Sequence, residues 1–258
     1  MGKVAIVSGS TQGIGADIAR GLVAAGARVM VLGLGAADGA AVAASLGEAA
    51  RFIETDITDD AQIDRAITAT LDAFGRLDVL VNNACSYADA GLASTREQWS
   101  STLNVNLVSA AIFAQKVVPH LPRGGVIVNM GSTGGKFGAA GRALYPASKA
   151  ALIQFTRNLA VTLAPEGIRA VTVSPAWTWS PATEQLAHGS LETADRVARP
   201  FHPLGRMGRG AEVAQAVAFL CSDEASWITG CDVPVDGGFS SLGPDQGISP
   251  REWFSRLT

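Results

Sequence analysis

The stretch YPASKAAL, beginning at Tyr145, sets a tyrosine four residues ahead of a lysine at the start of an apolar run. On a helix, residues i and i+4 share a face one turn apart, so Tyr145 and Lys149 point the same way. A phenol ordinarily keeps its proton to about pH 10, and a neighbouring ammonium favours the phenolate. Such a pair could pass a proton at neutral pH. The spacing alone also fits an amphipathic helix with one Tyr and one Lys on its wet side. A second stretch, VSGSTQGIG, places Gly9, Gly13 and Gly15 after a short apolar run and at the opening of a helical pattern. Glycines there let the backbone turn tightly and approach a pyrophosphate. The helix N-terminus then offers free N–H groups and the positive end of its dipole to the phosphates. A Gly-rich turn needed only for packing is the plainer reading of the same residues.

The elements that must position these groups follow from the apolar runs. Residues 3–8, 28–33, 51–56, 77–82, 125–130, 168–174 and 231–236 are rich in Val and Ile and continuous rather than alternating, as strands buried on both faces are. Helical patterns lie between them, near 14–25, 37–46, 59–74, 96–119, 145–164 and 210–221. Strand–helix alternation implies an α/β fold: a Rossmann-like, doubly wound parallel sheet of about seven strands with helices on both faces. No linker, repeat or low-complexity segment interrupts it, so residues 1–258 read as one domain, with 239–258 as a C-terminal tail. From Gln98 to Gln115 there is no charged residue, and from Pro146 to Ala164 only Lys149 and Arg157 are charged. A helix on a sheet should show a charged outer stripe, so these two are expected to be covered by another subunit.

Composition narrows the function classes. Of 258 residues, 48% are apolar and 17% charged, which suits a large core. The net charge of −3 and the absence of a Lys/Arg-rich run argue against nucleic acid or an anionic membrane as partner. No apolar run reaches membrane-spanning length, and the N-terminal residues lack a signal-peptide layout. Cys85, Cys221 and Cys231 are few and widely spaced, which suggests reduced thiols in a cytoplasmic protein. His120, His188 and His202 have no metal-ligand spacing, so no metal site is expected.

The Gly-x-x-x-Gly-x-Gly turn joined to Tyr-x-x-x-Lys resembles the short-chain dehydrogenase/reductase family. The resemblance extends along nearly the whole chain: NNAC at 82–85, NVNL at 104–107, NMGS ending at Ser132, SPAW at 174–177 and ITGCDVPVDGG at 228–238. It implies an NAD(P)-dependent oxidoreductase that interconverts a secondary alcohol and a ketone, with Asn106, Ser132, Tyr145 and Lys149 as catalytic tetrad. Tyr145 would be the general acid or base, and Lys149 would favour its phenolate and hold the nicotinamide ribose. Ser132 would bond the substrate oxygen, and Asn106 would help hold a water linking Lys149 to solvent. The glycine turn, with Thr11, Gln12 and Ile14, would carry the pyrophosphate. Asp56 and Ile57 would meet the adenine, Asn83 and Ala84 the adenosine ribose and nearby phosphate, and Pro175, Ala176 and Ser180 the nicotinamide side.

Three departures from the family pattern stand out. Cys85 and Ala176 replace glycines, and each adds a Cβ where backbone and cofactor run close. Gly33 and Leu34 end the second strand where NAD-using relatives tend to carry an acid, and NADP-using relatives tend to carry a basic residue near 12 or 34. Gln12 and Leu34 are neutral, and a 2′-phosphate without a counter-ion would be costly to desolvate. NAD(H) is therefore slightly favoured over NADP(H). Three loops, 85–95, 133–144 and 176–205, should line the substrate with Tyr87, Thr133, Phe137, Arg142, Leu144, Trp177, Trp179, His188 and Phe201. They suggest apolar walls, with Arg142 placed to meet an anionic group. The family commonly forms homotetramers, which would pair the charge-poor helices, and the tail would reach a neighbouring subunit's site. The alternatives are a non-catalytic dinucleotide-binding regulator, which an intact tetrad argues against, and a 3-oxoacyl reductase-like enzyme. An enoyl-reductase variant would space its Tyr and Lys more widely. A halohydrin dehalogenase would lose the glycines and the lysine.

Overall fold

β-Branched side chains pack well on a pleated surface covered from both sides, and the Val- and Ile-rich runs accordingly form the strands β1 (Val4–Val7), β2 (Arg28–Gly33), β3 (Ala50–Glu54), β4 (Val79–Asn82), β5 (Val126–Met130), β6 (Arg169–Pro175) and β7 (Asp232–Val235). The computed structural model describes residues 2–243 and 245–258. All seven strands are parallel, in the order β3-β2-β1-β4-β5-β6-β7. Each expected strand is present, trimmed or shifted by a residue or two at its ends.

The period-2 alternation of side chains splits the strands between two cores. Ala5, Val7, Val29, Val31, Val79 and Val81 face one way, against the helices α1 (Gly13–Ala24), α2 (Ala36–Ser45) and α9 (Gly210–Cys221). Val4, Ile6, Met30, Leu32, Leu80 and Ile127 face the other, against α3 (Asp60–Phe74), α5 (Ser109–Val117) and α6 (Leu144–Leu163). The order reverses at β1, whose neighbours are β2 and β4. Connections leave in opposite directions there and open a crevice at the strands' C-terminal ends.

The expected helix over 96–119 is one continuous rod with an internal irregularity. α4 (Arg96–Leu103) passes through a π-helical turn, Asn104–Val108, into α5. Asn106 lies in that turn, and such bulges often mark functional positions. Residues 176–205 are not loop throughout. They hold α7 (Pro181–Leu186) and α8 (Leu191–Ala198), which pack a small core of Ala187, Ala194, Ala198, Met207 and Trp179. The tail also carries a helix, α10 (Pro250–Leu257), with Phe254 and Leu257 exposed. Among the described residues, no helix is long and apolar enough to cross a membrane.

Candidate active site

Two cavities adjoin along the crevice. The first, of about 460 Å³, is lined by the glycine turn and the ends of β2, β3 and β4. The second, of about 630 Å³, is lined by the ends of β5 and β6, the start of α6 and the α7 segment. Ile14, Asn83, Cys85, Tyr87, Ser180 and Ala182 border both, so the two form one cleft.

The glycine turn is set by close approach. A Cβ on Gly15 would lie 2.2 Å from the Gly9 carbonyl oxygen and 2.4 Å from Asn83 Nδ2, so no larger residue fits. Asn83 Nδ2 donates to the Ser8 and Gly9 carbonyls at 3.0 and 2.9 Å, and Ser8 Oγ accepts from the N–H groups of Asn83 and Ala84. The N-cap Gln12 makes no side-chain capping bond, and the first turn of α1 holds no acid. The N-terminal N–H groups of α1 are therefore not claimed by a side-chain cap, and the dipole there is not offset by a first-turn acid. A pyrophosphate fits this cradle. Thr11, Gln12, Gly13, Ile14, Gly33, Leu34, Asp56, Ile57 and Ala84 line the same cavity. Asp56 Oδ1 is held by the Thr58 N–H at 2.9 Å and its hydroxyl at 2.8 Å.

Tyr145, Lys149 and Ser132 meet in the second cavity with Pro175 and Ala176. Tyr145 and Lys149 are both buried on α6, and the lysine Nζ lies 5.6 Å from the tyrosine ring centroid. Lys149 Nζ also donates to the Met130 carbonyl at 2.7 Å, which ties it to the end of β5. Ser132 caps the following 3₁₀ turn, its Oγ accepting the Gly134 N–H at 3.0 Å. A Cβ on Gly135 would meet the Ala150 N at 2.8 Å, so this glycine lets the serine turn press against α6. Beneath lies a buried ladder. Asn82 Nδ2 donates to Asn129 Oδ1 and to the Ala110 carbonyl, Asn129 Nδ2 to Thr156 Oγ1, and Thr156 to the Leu152 carbonyl. It fastens α5 and α6 to the sheet under the chemical groups.

Asn106 is buried but lines neither cavity. Its Oδ1 accepts the Ser86 N–H at 2.6 Å, and its Nδ2 donates to the Ser86 carbonyl and Ser148 Oγ, each at 3.0 Å. The amide is thereby committed to protein partners, and it staples the loop after β4.

The family model described as Enoyl-(Acyl carrier protein) reductase matches residues 9–240. A 3-alpha-(or 20-beta)-hydroxysteroid dehydrogenase of Mycobacterium tuberculosis is 36% identical over 265 residues, 99% of this chain and 98% of that one. The 3-oxoacyl-[acyl-carrier-protein] reductase FabG of Thermotoga maritima is 41% identical over 187 residues, 71% of this chain and 74% of that one. Among solved structures, a 3-ketoacyl-(acyl-carrier-protein) reductase from Brucella melitensis complexed with NADH aligns with a TM-score of 0.83 at 33% identity, covering 93% of this chain and 98% of that one. The chain belongs to the short-chain dehydrogenase/reductase family. It is an NAD(P)-dependent oxidoreductase acting on hydroxyl and ketone groups.

The substrate side of this dehydrogenase/reductase differs in part from the sequence expectation. Tyr87, Thr133, Phe137, Arg142 and Trp177 line the second cavity as expected. Trp179 does not: it packs into the small core beneath α7 and α8. Leu144 is fully buried, and His188 lies in a turn after α7 with φ 50° and lines neither cavity. Phe201 packs on Trp177 with ring centroids 5.0 Å apart and planes tilted by 50°, and it lines neither cavity. The Cβ atoms of Cys85 and Ala176 require no left-handed backbone, since His188 and Gln246 are the only described non-glycine residues with positive φ. Sequence reasoning missed Asp89, Thr183, Leu186 and Phe239, which also line the cavity. Asp89 had no local motif to mark it. The α7 residues carried a usable signal, Ser180 followed by Pro181, which is an N-cap followed by a helix-starting proline.

Proposed function

We propose that Tyr145 is the proton-transfer group of this oxidoreductase, and that its substrate is a secondary alcohol or the matching ketone with apolar flanks. The convergence of Tyr145, Lys149 and Ser132 on one cavity wall, beside the glycine-turn cleft, carries this reading. A bound nicotinamide supplies the hydride acceptor for oxidation and the donor for reduction. Tyr145 takes the alcohol proton, or gives one to the oxygen of the ketone as it is reduced. Lys149 stands beside Tyr145, its Nζ 5.6 Å from the ring centroid and tied to the Met130 carbonyl. Ser132 Oγ already accepts from Gly134, which leaves its hydroxyl hydrogen for the substrate oxygen. Asn106 acts by holding the loop of Cys85–Asp89 rather than by reaching the reacting atoms.

The remaining cleft residues divide along its length. Gly9, Thr11, Gln12, Gly13, Ile14 and Gly15 cradle the pyrophosphate. Gly33, Leu34, Asp56, Ile57, Asn83 and Ala84 hold the adenosine side, with NAD(H) favoured over NADP(H). Pro175, Ala176 and Ser180 flank the nicotinamide. Tyr87, Thr133, Phe137 and Trp177 form the substrate walls, and Arg142, half-exposed at the rim over the Tyr145 ring and 4.0 Å from Asp89, would meet an anionic substituent there. Hydroxysteroids and 3-oxoacyl thioesters belong in the first substrate panel, because relatives named for both match this chain.

We read the chain as one such domain with a tail, in the cytoplasm, where its three free cysteines suit a reducing setting. A homotetramer is the assembly its charge-poor helices and exposed Val161, Trp227 and Phe254 support; a monomer by light scattering at micromolar concentration would refute it. The central test is Tyr145→Phe, which removes one hydroxyl. The expected loss of kcat is about 10²–10⁴-fold, with NADH binding followed by fluorescence unchanged. Activity within about tenfold of wild type, only ~1.4 kcal/mol of barrier, would rule the mechanism out.

A further inference from the structure

The helix that carries Tyr145 lacks a cap of its own. Its N-cap residue is Ala143, which has no side-chain acceptor, and whose φ of −146° and ψ of −53° depart from the extended backbone of an ordinary cap. The first turn also contains Pro146, which has no N–H. The N–H groups that a capping side chain would satisfy must find an acceptor elsewhere, because an unpaired buried donor is costly.

Asp89 supplies it from the loop after β4. Its Oδ1 and Oδ2 accept the Ala143 N–H at 2.9 and 3.0 Å, Oδ2 accepts the N–H of Tyr145 itself at 3.1 Å, and Oδ1 accepts the Gly91 N–H at 2.9 Å. The carboxylate is only 4% exposed. Burial by itself would raise this carboxyl, but the N–H groups of Gly91, Ala143, Tyr145 and Leu144 outweigh it and hold the group below its usual range. Arg142 stands 4.0 Å away and lays its guanidinium over the Tyr145 ring, 5.1 Å from the centroid. On the same loop, Tyr87 stacks on the Tyr145 ring at 5.1 Å, and Ser86 is held by Asn106. One short loop therefore fixes both the backbone and the ring of the tyrosine.

We infer that Asp89 is a positioning residue: by capping the catalytic helix from a distant loop, it sets the placement of Tyr145 for proton transfer. The inference rests on Tyr145 being the proton-transfer group. A side chain on a helix end moves with that end, and a misplacement of about 1 Å can cost on the order of 10²-fold in rate. Asp89 lines the substrate cavity, but its carboxylate is engaged by the N–H groups of Gly91, Ala143 and Tyr145, so its loss should appear chiefly in kcat rather than in binding.

The test compares Asp89→Asn and Asp89→Ala with Tyr145→Phe, measuring kcat, KM, the NADH dissociation constant and Tm. Asn keeps the size and one acceptor, whereas Ala keeps none. Expected is a graded fall of kcat, about tenfold for Asn and about 10²-fold for Ala, with KM and NADH affinity within about twofold. If both variants keep kcat within about twofold while Tyr145→Phe is inactive, Asp89 is merely structural and the inference fails. It also fails if kcat falls only in step with NADH affinity. An active Tyr145→Phe would sink the proton-transfer reading instead. Should Asp89→Ala not fold, Asp89→Asn decides alone.

Discussion

The glycine-turn half of the cleft and the substrate half are built by different means. Around Gly9 and Gly15 the chain is held by backbone close approach and by one short run of motif residues. Asn83 and Ser8 tie β1 to β4 through carbonyl and N–H groups. Around Tyr145 the chain is held by side chains from distant segments: Asp89 to α6, Asn106 to Ser86, and Lys149 to Met130. The first half has almost no freedom for a larger residue. The second half also has a close approach, at Gly135 against α6, but its tyrosine is placed chiefly by those side-chain bonds.

The sharpest way to break this contrast is Gly15→Ala. Its Cβ would stand 2.2 Å from a carbonyl oxygen and 2.4 Å from Asn83 Nδ2, so backbone must shift. NADH affinity should fall by more than about 10²-fold, equivalent to about 2.8 kcal/mol, with a lower Tm. Fluorescence titration decides it. Affinity within about tenfold of wild type would show that the turn can open, and that backbone approach does not distinguish the halves.

A middle-sized effect is expected at the small lobe over the substrate. Asp195 on α8 accepts from Arg209 Nη1 and Nη2 at 3.0 and 2.7 Å and from the Met207 N–H at 3.1 Å, which pins α8 beside the start of α9. Through it the lobe holds Thr183 and Leu186 at the cavity. Asp195→Ala should raise KM by about tenfold, if the lost charged bonds are worth ~1.5 kcal/mol, and leave NADH affinity unchanged. An unchanged KM would show that the lobe's small core suffices. The Arg209 hydrogen bonds, working against burial, hold Asp195 below its ordinary value of 3.8. A depressed carboxyl contributes stability that is complete above the ordinary value and is lost as pH falls through the folded one. The pair is therefore intact at neutral pH and loosens only below about pH 4.

What could be read from the sequence follows the same division. All seven strands, the main helices, the glycine turn and the Tyr145/Lys149 pair depend on spacings within a few residues, and each was legible. Asp89 was not, because the α6 partners it caps lie 54 and 56 residues away. The Asn82–Asn129–Thr156 ladder was hidden for the same reason. Trp177 and Trp179 looked alike as aromatic wall residues, yet one faces the cavity and the other fills the lobe core. Nothing within two residues of either tells them apart. The lobe helices α7 and α8 were missed because neither is long enough to show a period, although Ser180-Pro181 and Ser190 were start signals.

The smallest effect expected concerns the dinucleotide, and it probes how far the glycine-turn half depends on charge. Among the described residues no Lys or Arg lines the adenosine cavity, so a 2′-phosphate would find no cation in that lining. β2 ends at Gly33 and is followed by Leu34, so no acid stands there, but β3 runs beside it in register, pairing Gly33 with Glu54. Glu54 Oε1 accepts the Gly35 N–H at 3.2 Å, so a carboxylate stands at this corner from the neighbouring strand. It lies outside the cavity lining but beside the end of β2, near enough for its charge to disfavour a further negative group on the adenosine side. Glu54 is exposed and screened by salt, so its influence should be modest. The wild type should show the higher kcat/KM with NAD(H) on any one substrate. Glu54→Gln should move the NADP(H)-to-NAD(H) ratio upward by about two- to fivefold, less at high ionic strength. A wild-type preference for NADP(H) would overturn the cofactor assignment. An unchanged ratio in Glu54→Gln would leave that assignment resting on the missing cation alone, and would show that backbone fit outweighs charge in this half of the cleft.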